Sequence, residues 1–101
     1  MNTKIVKGIF CSTKKIYRSK NGSHYFTFKF IGRVSHIDVL CAKHPSFNGQ
    51  SSNPHKTHLF HSGKVCFIAG REPKTQSRAE ELAAQWAEYF LDYRQTGKVQ
   101  N

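Results

Sequence analysis

The sequence predicts an α+β fold, an antiparallel β-meander of four to five strands with one long C-terminal helix packed on one face. Three observations lead to this prediction. Short segments with apolar residues at every second position fill the first 41 residues. The turns between them are too short for parallel crossovers. From Ser77 onward the apolar spacing becomes helical, and the length of 101 residues fits a single domain, residues 1–101.

Alternating apolar positions place the strands. They are predicted at residues 4–11, 13–19, 23–31, 34–41 and 65–69. Asn21-Gly22 marks a hairpin turn, because both residues tolerate positive φ. Beyond that turn, Phe26, Phe28 and Phe30 share one side of a strand, and the side chains between them form a more polar face. We assign the Phe stripe to the core beneath the helix.

A long loop and the helix complete the chain. Residues 42–63 show no periodicity and are rich in Pro, Gly, Ser and His, so we predict an irregular loop. The helix is predicted from Ser77 to Arg94, with Ser77 and Glu80 as an S-x-x-E capping box and Gly97 as the C-terminal cap. Its apolar face comprises Ala79, Leu82, Ala83, Trp86, Phe90 and Tyr93.

Several classes of protein are disfavoured by composition. No run of about 20 apolar residues and no signal peptide occurs, which predicts a cytoplasmic protein without a membrane partner. The cysteines are odd in number and form no C-x-x-C pair, so we expect reduced thiols. His55, His58 and His61 form only a weak zinc pattern on a loop without fixed geometry, and we predict neither a metal nor a cofactor.

The charge is large and uneven. The net charge is +10, and residues 1–37 contain eight basic residues and no acid. Such a field attracts acidic partners, either nucleic acid or an acidic protein. Lys14, Lys15, Arg18 and Lys20, interleaved with aromatic residues, are the candidate binding residues. One hypothesis is therefore a basic binding module in which Cys66 is inert, and a basic surface that only keeps the protein soluble is the simpler alternative.

The segment HLFHSGKVCF, residues 58–67, contains a histidine, a glycine turn and a cysteine between apolar residues. With the helix and the tail AEYFLDYRQTGK, it resembles the ubiquitin-conjugating-enzyme fold in its compact bacterial form. The resemblance covers residues 24–98. The positions that carry it are His58-Leu59-Phe60, Ser62-Gly63 and Lys64-Val65-Cys66-Phe67, and in the tail Tyr89, Tyr93, Thr96, Gly97 and Lys98.

The resemblance implies a thiol carrier. Cys66 would accept the C-terminus of a ubiquitin-like modifier from its activating enzyme as a thioester and pass it to an amine. The candidate catalytic residues are then Cys66 as nucleophile and His58 as the histidine that supports the loop. The sequence also departs from the family. Phe60 stands where eukaryotic members place an Asn that stabilises the oxyanion.

Two further departures concern the ends of the resemblance. The family's N-terminal helix is not predicted, and GREPK stands in place of the gate residues beyond the cysteine. An inactive derivative that serves as a binding module is therefore an alternative to an active carrier. A homodimer joined through sheet edges or through Leu91 is a further hypothesis.

Overall fold

The computed structural model describes residues 12–68 and 70–99, and these contain one antiparallel sheet and one long helix. The strands are β1 (Ser12–Arg18), β2 (Tyr25–Gly32) and β3 (Ile37–Lys43), in the order β1-β2-β3. A short helix α1 (Pro54–Thr57) precedes the long helix α2 (Gln76–Thr96). The predicted α+β class and the long C-terminal helix are confirmed. Neither of these two helices has the length and apolar character that crossing a membrane requires.

The predicted number of strands, four to five, is not supported. The sheet has three strands in the part of the chain that the structure describes, and the strand predicted at 4–11 lies outside that part. The strand predicted at 65–69 is reduced to isolated bridges, from Lys64 to β3 and from Val65 to Leu59. The chain turns away from β3 directly after these bridges, so no continuous ladder forms.

The first hairpin turn differs in detail from the prediction. Its loop is closed by a hydrogen bond from the Ser19 N–H to the His24 carbonyl oxygen, 2.9 Å, and by one from Gly22 to Ser19, 2.8 Å. Only Gly22 adopts positive φ, at 77°, and Asn21 does not. The Asn21 side chain instead accepts from the Ser19 hydroxyl and the Ser23 N–H. The Asn-Gly pair therefore turns the chain through one left-handed residue rather than two.

A turn at residues 33–36 makes β3 begin later than predicted. The Arg33 N–H donates to the His36 carbonyl oxygen at 2.7 Å, so β3 starts at Ile37 instead of residue 34. Asp38 is buried and accepts hydrogen bonds from the Arg33 and His36 side chains, each at 2.8 Å. Burial alone would raise the pKa of Asp38, but these two hydrogen bonds and the charge of Lys64 lower it below 3.8.

The core lies between the Phe stripe of β2 and the apolar face of α2. Phe26, Phe28 and Phe30 are all buried, as predicted. Trp86 and Phe90 cover them, and their rings meet Phe26 edge-on at centroid distances of 6.0 and 5.8 Å. Burying each such side chain contributes roughly 1.5–3 kcal/mol. Neither of the two helices in the described residues lies on the other face of the sheet.

Helix α2 begins earlier than predicted. Its N-cap is Thr75, whose hydroxyl accepts from the Arg78 N–H at 3.1 Å, so the predicted Ser77–Glu80 capping box is wrong. Because Thr75 caps the helix, the Glu80 carboxylate is not used for capping. It accepts a 2.9 Å hydrogen bond from the Gln76 side chain, one helical turn earlier. At the other end Gly97 is left-handed and donates to the Tyr93 carbonyl oxygen, which confirms the predicted cap.

Polar tips of α2 side chains fix the segment at residues 42–63. Trp86 Nε1 donates to the Thr57 carbonyl oxygen at 2.9 Å, and the Tyr93 hydroxyl donates to that of Ser51 at 2.6 Å. The segment was predicted to be irregular throughout, yet it contains α1. Helix α2 thus packs on the sheet and also holds in place the residues that precede Cys66.

Candidate functional site

A tight reversal of the chain brings Cys66 beside His58. His58 ends α1 in the left-handed region, at φ 57°, and Gly63, at φ 95°, turns the chain back. The Cys66 N–H then donates to the His58 carbonyl oxygen at 2.8 Å. A Cβ atom at Gly63 would lie 3.2 Å from the Cys41 carbonyl oxygen, so the turn needs glycine for space as well as for conformation. The two candidate catalytic residues are therefore backbone neighbours.

The Cys66 side chain is half-buried between two surface clefts. One cleft, about 490 Å³, is lined by His58, Cys66, Ile68, Arg71, Arg78 and Leu82. The other, about 470 Å³, is lined by Pro54, His55, His58, Phe60 and Cys66. Because Cys66 and His58 line both, an extended polypeptide in either cleft would reach the cysteine.

The environment of the thiol sets its reactivity. Burial raises the pKa of Cys66 above its ordinary 9.0, while the backbone amide of Phe60 and the charge of Lys64 act in the opposite direction. The thiol is therefore mostly protonated at neutral pH. A thiol with a raised pKa forms less of the attacking thiolate, but it is also a poorer leaving group once acylated.

The other two cysteines differ from Cys66. Cys41 is only 6 % exposed and belongs to the core. Burial raises the pKa of its thiol to about 12, and its Sγ donates to the Lys43 carbonyl oxygen at 3.4 Å. Cys11 lies outside the described residues. Of the two described thiols, Cys66 is the one that reagents in solution can reach.

The His58 imidazole packs against the helix instead of acting on the thiol. Its ring lies 5.0 Å from that of Tyr89, centroid to centroid, at an interplanar angle of 37°. Within residues 12–68 and 70–99 no hydrogen bond joins this imidazole to the Cys66 sulfur. The Tyr89 hydroxyl in turn donates to the Lys56 carbonyl oxygen. The imidazole thus contacts the helix, and among the described residues no side-chain base is hydrogen-bonded to the thiol.

Phe60 occupies the rim of the second cleft, and its side chain is half-exposed. Its N–H donates to the Lys64 carbonyl oxygen at 2.9 Å and also lies near enough to Cys66 to affect the thiol. A phenylalanine offers no side-chain donor for an oxyanion. The position therefore offers only a backbone N–H, which the Lys64 carbonyl oxygen already engages.

The loop histidines are dispersed. His44 Nδ1–H donates to the Pro45 carbonyl oxygen at 2.7 Å, and the His44 ring packs against that of Phe90 at a centroid distance of 5.0 Å. In the portion of the chain that is described, no three His, Cys, Asp or Glu side chains converge as metal ligands would.

The four candidate basic residues do not form one surface. Lys14 and Arg18 lie on the face of β1 that points away from α2. Lys15 faces the helix and pairs with Glu80 at 2.9 Å. Lys20 follows the strand, and its N–H donates to the Glu88 carboxylate at 3.0 Å. The predicted cluster is therefore split between the two faces of the sheet.

Sequence reasoning missed the residues that surround Cys66 on the helix side. Ile68, Arg71 and Leu82 line the larger cleft, and Tyr89 holds His58. One signal was available, since Leu82 and Tyr89 lie seven positions apart, which is two helical turns and therefore one face. Arg71 follows the glycine at position 70 in a turn, where the sequence pattern gives no direction for a side chain.

Comparison with protein families, with curated proteins and with solved structures finds no match for this chain.

Proposed function

We propose that the protein is a thiol carrier of the ubiquitin-conjugating type, which holds the C-terminus of a ubiquitin-like modifier on Cys66 as a thioester. The observation that carries the proposal is the placement of Cys66. It is half-buried at the junction of two clefts, while Cys41 is only 6 % exposed at the wall of another cleft. The resemblance of residues 58–67 and of the helix tail to the compact bacterial carriers supplies the type of acyl group.

The proposed chemistry is two acyl transfers. The Cys66 thiolate attacks the carbonyl carbon of a modifier thioester on the activating enzyme, a C–S bond forms, and the enzyme's thiol leaves with a proton. An amine then attacks the new thioester, which gives an amide and returns Cys66 as a thiol. No oxidant or metal is needed. The raised pKa of Cys66, caused by burial, slows loss of the acyl group to water between the two steps.

The larger cleft suits a polypeptide tail. Its walls combine apolar side chains, Ile68 and Leu82, with the guanidinium groups of Arg71 and Arg78. Ile68 is 75 % exposed, so its side chain is available to a partner that occupies this cleft. We propose that these side chains hold the modifier's last residues, and that the carrier works in the cytoplasm, where its thiol stays reduced.

An inactive derivative that binds the same tail without acylation is the alternative within this proposal. Phe60 offers no side-chain donor, and no side-chain base among the described residues is hydrogen-bonded to the thiol; both observations favour it. The two differ in one respect only: the carrier forms a covalent bond to Cys66, and the derivative does not.

Charging with a model thioester separates these cases. The probe is a short peptide α-thioester ending in glycine, added to a Cys11→Ser variant in native buffer and followed by intact-mass spectrometry. We expect one acyl group, located on Cys66 by peptide mapping and removed by hydroxylamine. Cys66→Ala should not be charged. A native protein that stays unmodified, or one acylated elsewhere, would exclude the carrier and leave the binding module.

A further inference from the structure

The face of the sheet opposite α2 carries an unusual set of side chains. We call it the outer face, defined by Lys14, Ile16, Arg18, Tyr25, Lys29 and Lys43. The register of β1 and β2 places Lys14 directly opposite Lys29, where Cβ atoms lie about 4.5–5.5 Å apart and like charges repel. Neither lysine pairs with an acid of the described residues. The fold keeps this repulsion although it destabilises the sheet.

The neighbouring positions add charge of the same sign. Lys43 is opposite Thr27 in the register of β2 and β3, and Arg18 ends β1. The one acid that the register places on this face, in the described strands, is Asp38. It is already engaged by its basic neighbours, among them Lys64 at 3.4 Å. Residues 1–11 contain lysines and no acid, so they supply no counter-charge. The field of the outer face is strongly positive.

Apolar surface is exposed between these cations. Ile16 is 70 % exposed and Tyr25 is 58 % exposed. The guanidinium of Arg18 lies 5.9 Å from the centroid of the Tyr25 ring. A flat sheet with an exposed ring beside a guanidinium offers a stacking platform next to point charges.

We propose that the outer face binds a single-stranded nucleic acid, independently of the chemistry at Cys66. Lys14, Lys29, Lys43 and the neighbouring Arg18 would contact phosphates, and an unpaired base would stack on Tyr25. The exposed Tyr25 ring beside the lysines favours a nucleic acid over an acidic protein, because a base can stack on the ring while its phosphates meet the lysines. The exposed ring favours single strands, since the bases of a duplex are already stacked.

The charges give a salt dependence that can be measured. Four phosphate contacts, one for each of the three lysines and one for Arg18, correspond to a slope of log affinity against log salt of about −3 for single strands. Raising the salt from about 50 to 200 mM should then weaken binding by roughly 50-fold. Each lysine that is removed should reduce the slope by about 1.

The test is fluorescence anisotropy with labelled 12-nucleotide oligo-dT and oligo-U. Lys14→Glu/Lys29→Glu should weaken binding at least tenfold, and Lys14→Gln/Lys29→Gln should weaken it less but in the same direction. Lys56→Glu/Lys74→Glu is the matched control, because both lysines are exposed, lie off the sheet and change the net charge equally. It should retain most of the affinity. Circular dichroism confirms that each variant is folded.

Variants of Tyr25 distinguish binding of nucleic acid from binding of other polyanions. Tyr25→Ala should weaken oligonucleotide binding by about fivefold or more, while Tyr25→Phe should bind like the parent protein. Binding that ignores salt, or equal losses in the sheet variant and the control, would overturn the proposal. Tight binding of poly-glutamate that exceeds that of both oligonucleotides and is indifferent to Tyr25→Ala would overturn it in favour of an acidic protein partner.

Discussion

Native-state alkylation should distinguish Cys66 from Cys41 by a wide margin. The perturbation is N-ethylmaleimide, added to a Cys11→Ser variant so that only the two described thiols remain. Burial raises the pKa of Cys41 to about 12 from an ordinary 9.0. Since each pKa unit changes the thiolate fraction tenfold, Cys41 holds about 1,000-fold less thiolate at neutral pH than an ordinary thiol. It is also only 6 % exposed, so reagent must wait for the core to open.

Cys66 has a larger thiolate fraction than Cys41 and is more accessible to reagent. Its side chain is half-buried rather than enclosed, and burial raises its pKa while the Phe60 amide and Lys64 oppose the increase. We therefore expect Cys66 to be modified at least ~100-fold faster than Cys41 in native buffer. In urea the two rates should converge. Because the pKa of Cys66 lies above 9.0, its native rate should still be rising with pH at pH 9.

The assay is peptide mapping by mass spectrometry at timed quenches. Cys66→Ser in the same background should abolish fast labelling and should change the free energy of unfolding by less than about 1 kcal/mol, the usual range for a site outside the core. Comparable native rates at the two cysteines would refute the claim that Cys66 is the more reactive thiol of the folded protein. So would labelling of Cys66 that requires urea, or a Cys66→Ser variant that loses about 1–3 kcal/mol as a disturbed core residue does.

Three further predictions concern stability, each measured by urea unfolding. Gly63→Ala should cost about 1–3 kcal/mol and more than Gly70→Ala, because both glycines have positive φ but only Gly63 faces a nearby backbone atom; equal costs would show that the contact is unimportant. Trp86→Phe should cost about 1–3 kcal/mol, because it leaves the carbonyl of buried Thr57 without its donor; a neutral change would contradict that bond. Despite the effect of burial, basic neighbours lower the pKa of Asp38, so its contribution should be present above pH 3.8 and lost as pH falls through the folded-state pKa; Asp38→Asn should flatten this acid dependence, and an unchanged profile would count against it.

Periodicity was enough to predict the core. Phe26, Phe28 and Phe30 alternate with polar residues, and Trp86 and Phe90 recur at helical spacing, so each element reveals its buried face without any partner. The ends of the helices and strands were harder to predict from the sequence. Thr75 and Ser77 are both competent caps, and tertiary contacts at Glu80 accompany the earlier start. Helix boundaries of this kind depend on tertiary packing, which the local sequence does not determine.

The strand count was not supported for a different reason. Residues 65–69 have the composition of a strand, but after Val65 the backbone donors pair with His58 rather than with β3. Local β-propensity describes how a residue fits a sheet, and it does not say whether a partner strand is present. The bridges at Lys64 and Val65 are what remains of the predicted strand.

The approach of Cys66 to His58 could be anticipated from the sequence, and the side chains that surround them could not. The proximity of His58 and Cys66 follows from a short loop closed by a glycine, which the sequence displays. The side of the sheet on which each lysine lies was also within reach, because the hairpin register puts Lys14 opposite Lys29. Treating Lys14 and Lys15 as one cluster ignored the period of two, which sends neighbouring residues of a strand to opposite faces.

The measurement that tests the central claim most directly is acylation of the Cys11→Ser variant by a peptide α-thioester, compared between native buffer and urea with each cysteine resolved by mass. We expect the native protein to take one acyl group, on Cys66, while Cys41 remains a thiol. In urea both cysteines should react. Native protein in which Cys66 stays a thiol under conditions that acylate it in urea would contradict the claim that this cysteine is placed to carry an acyl group.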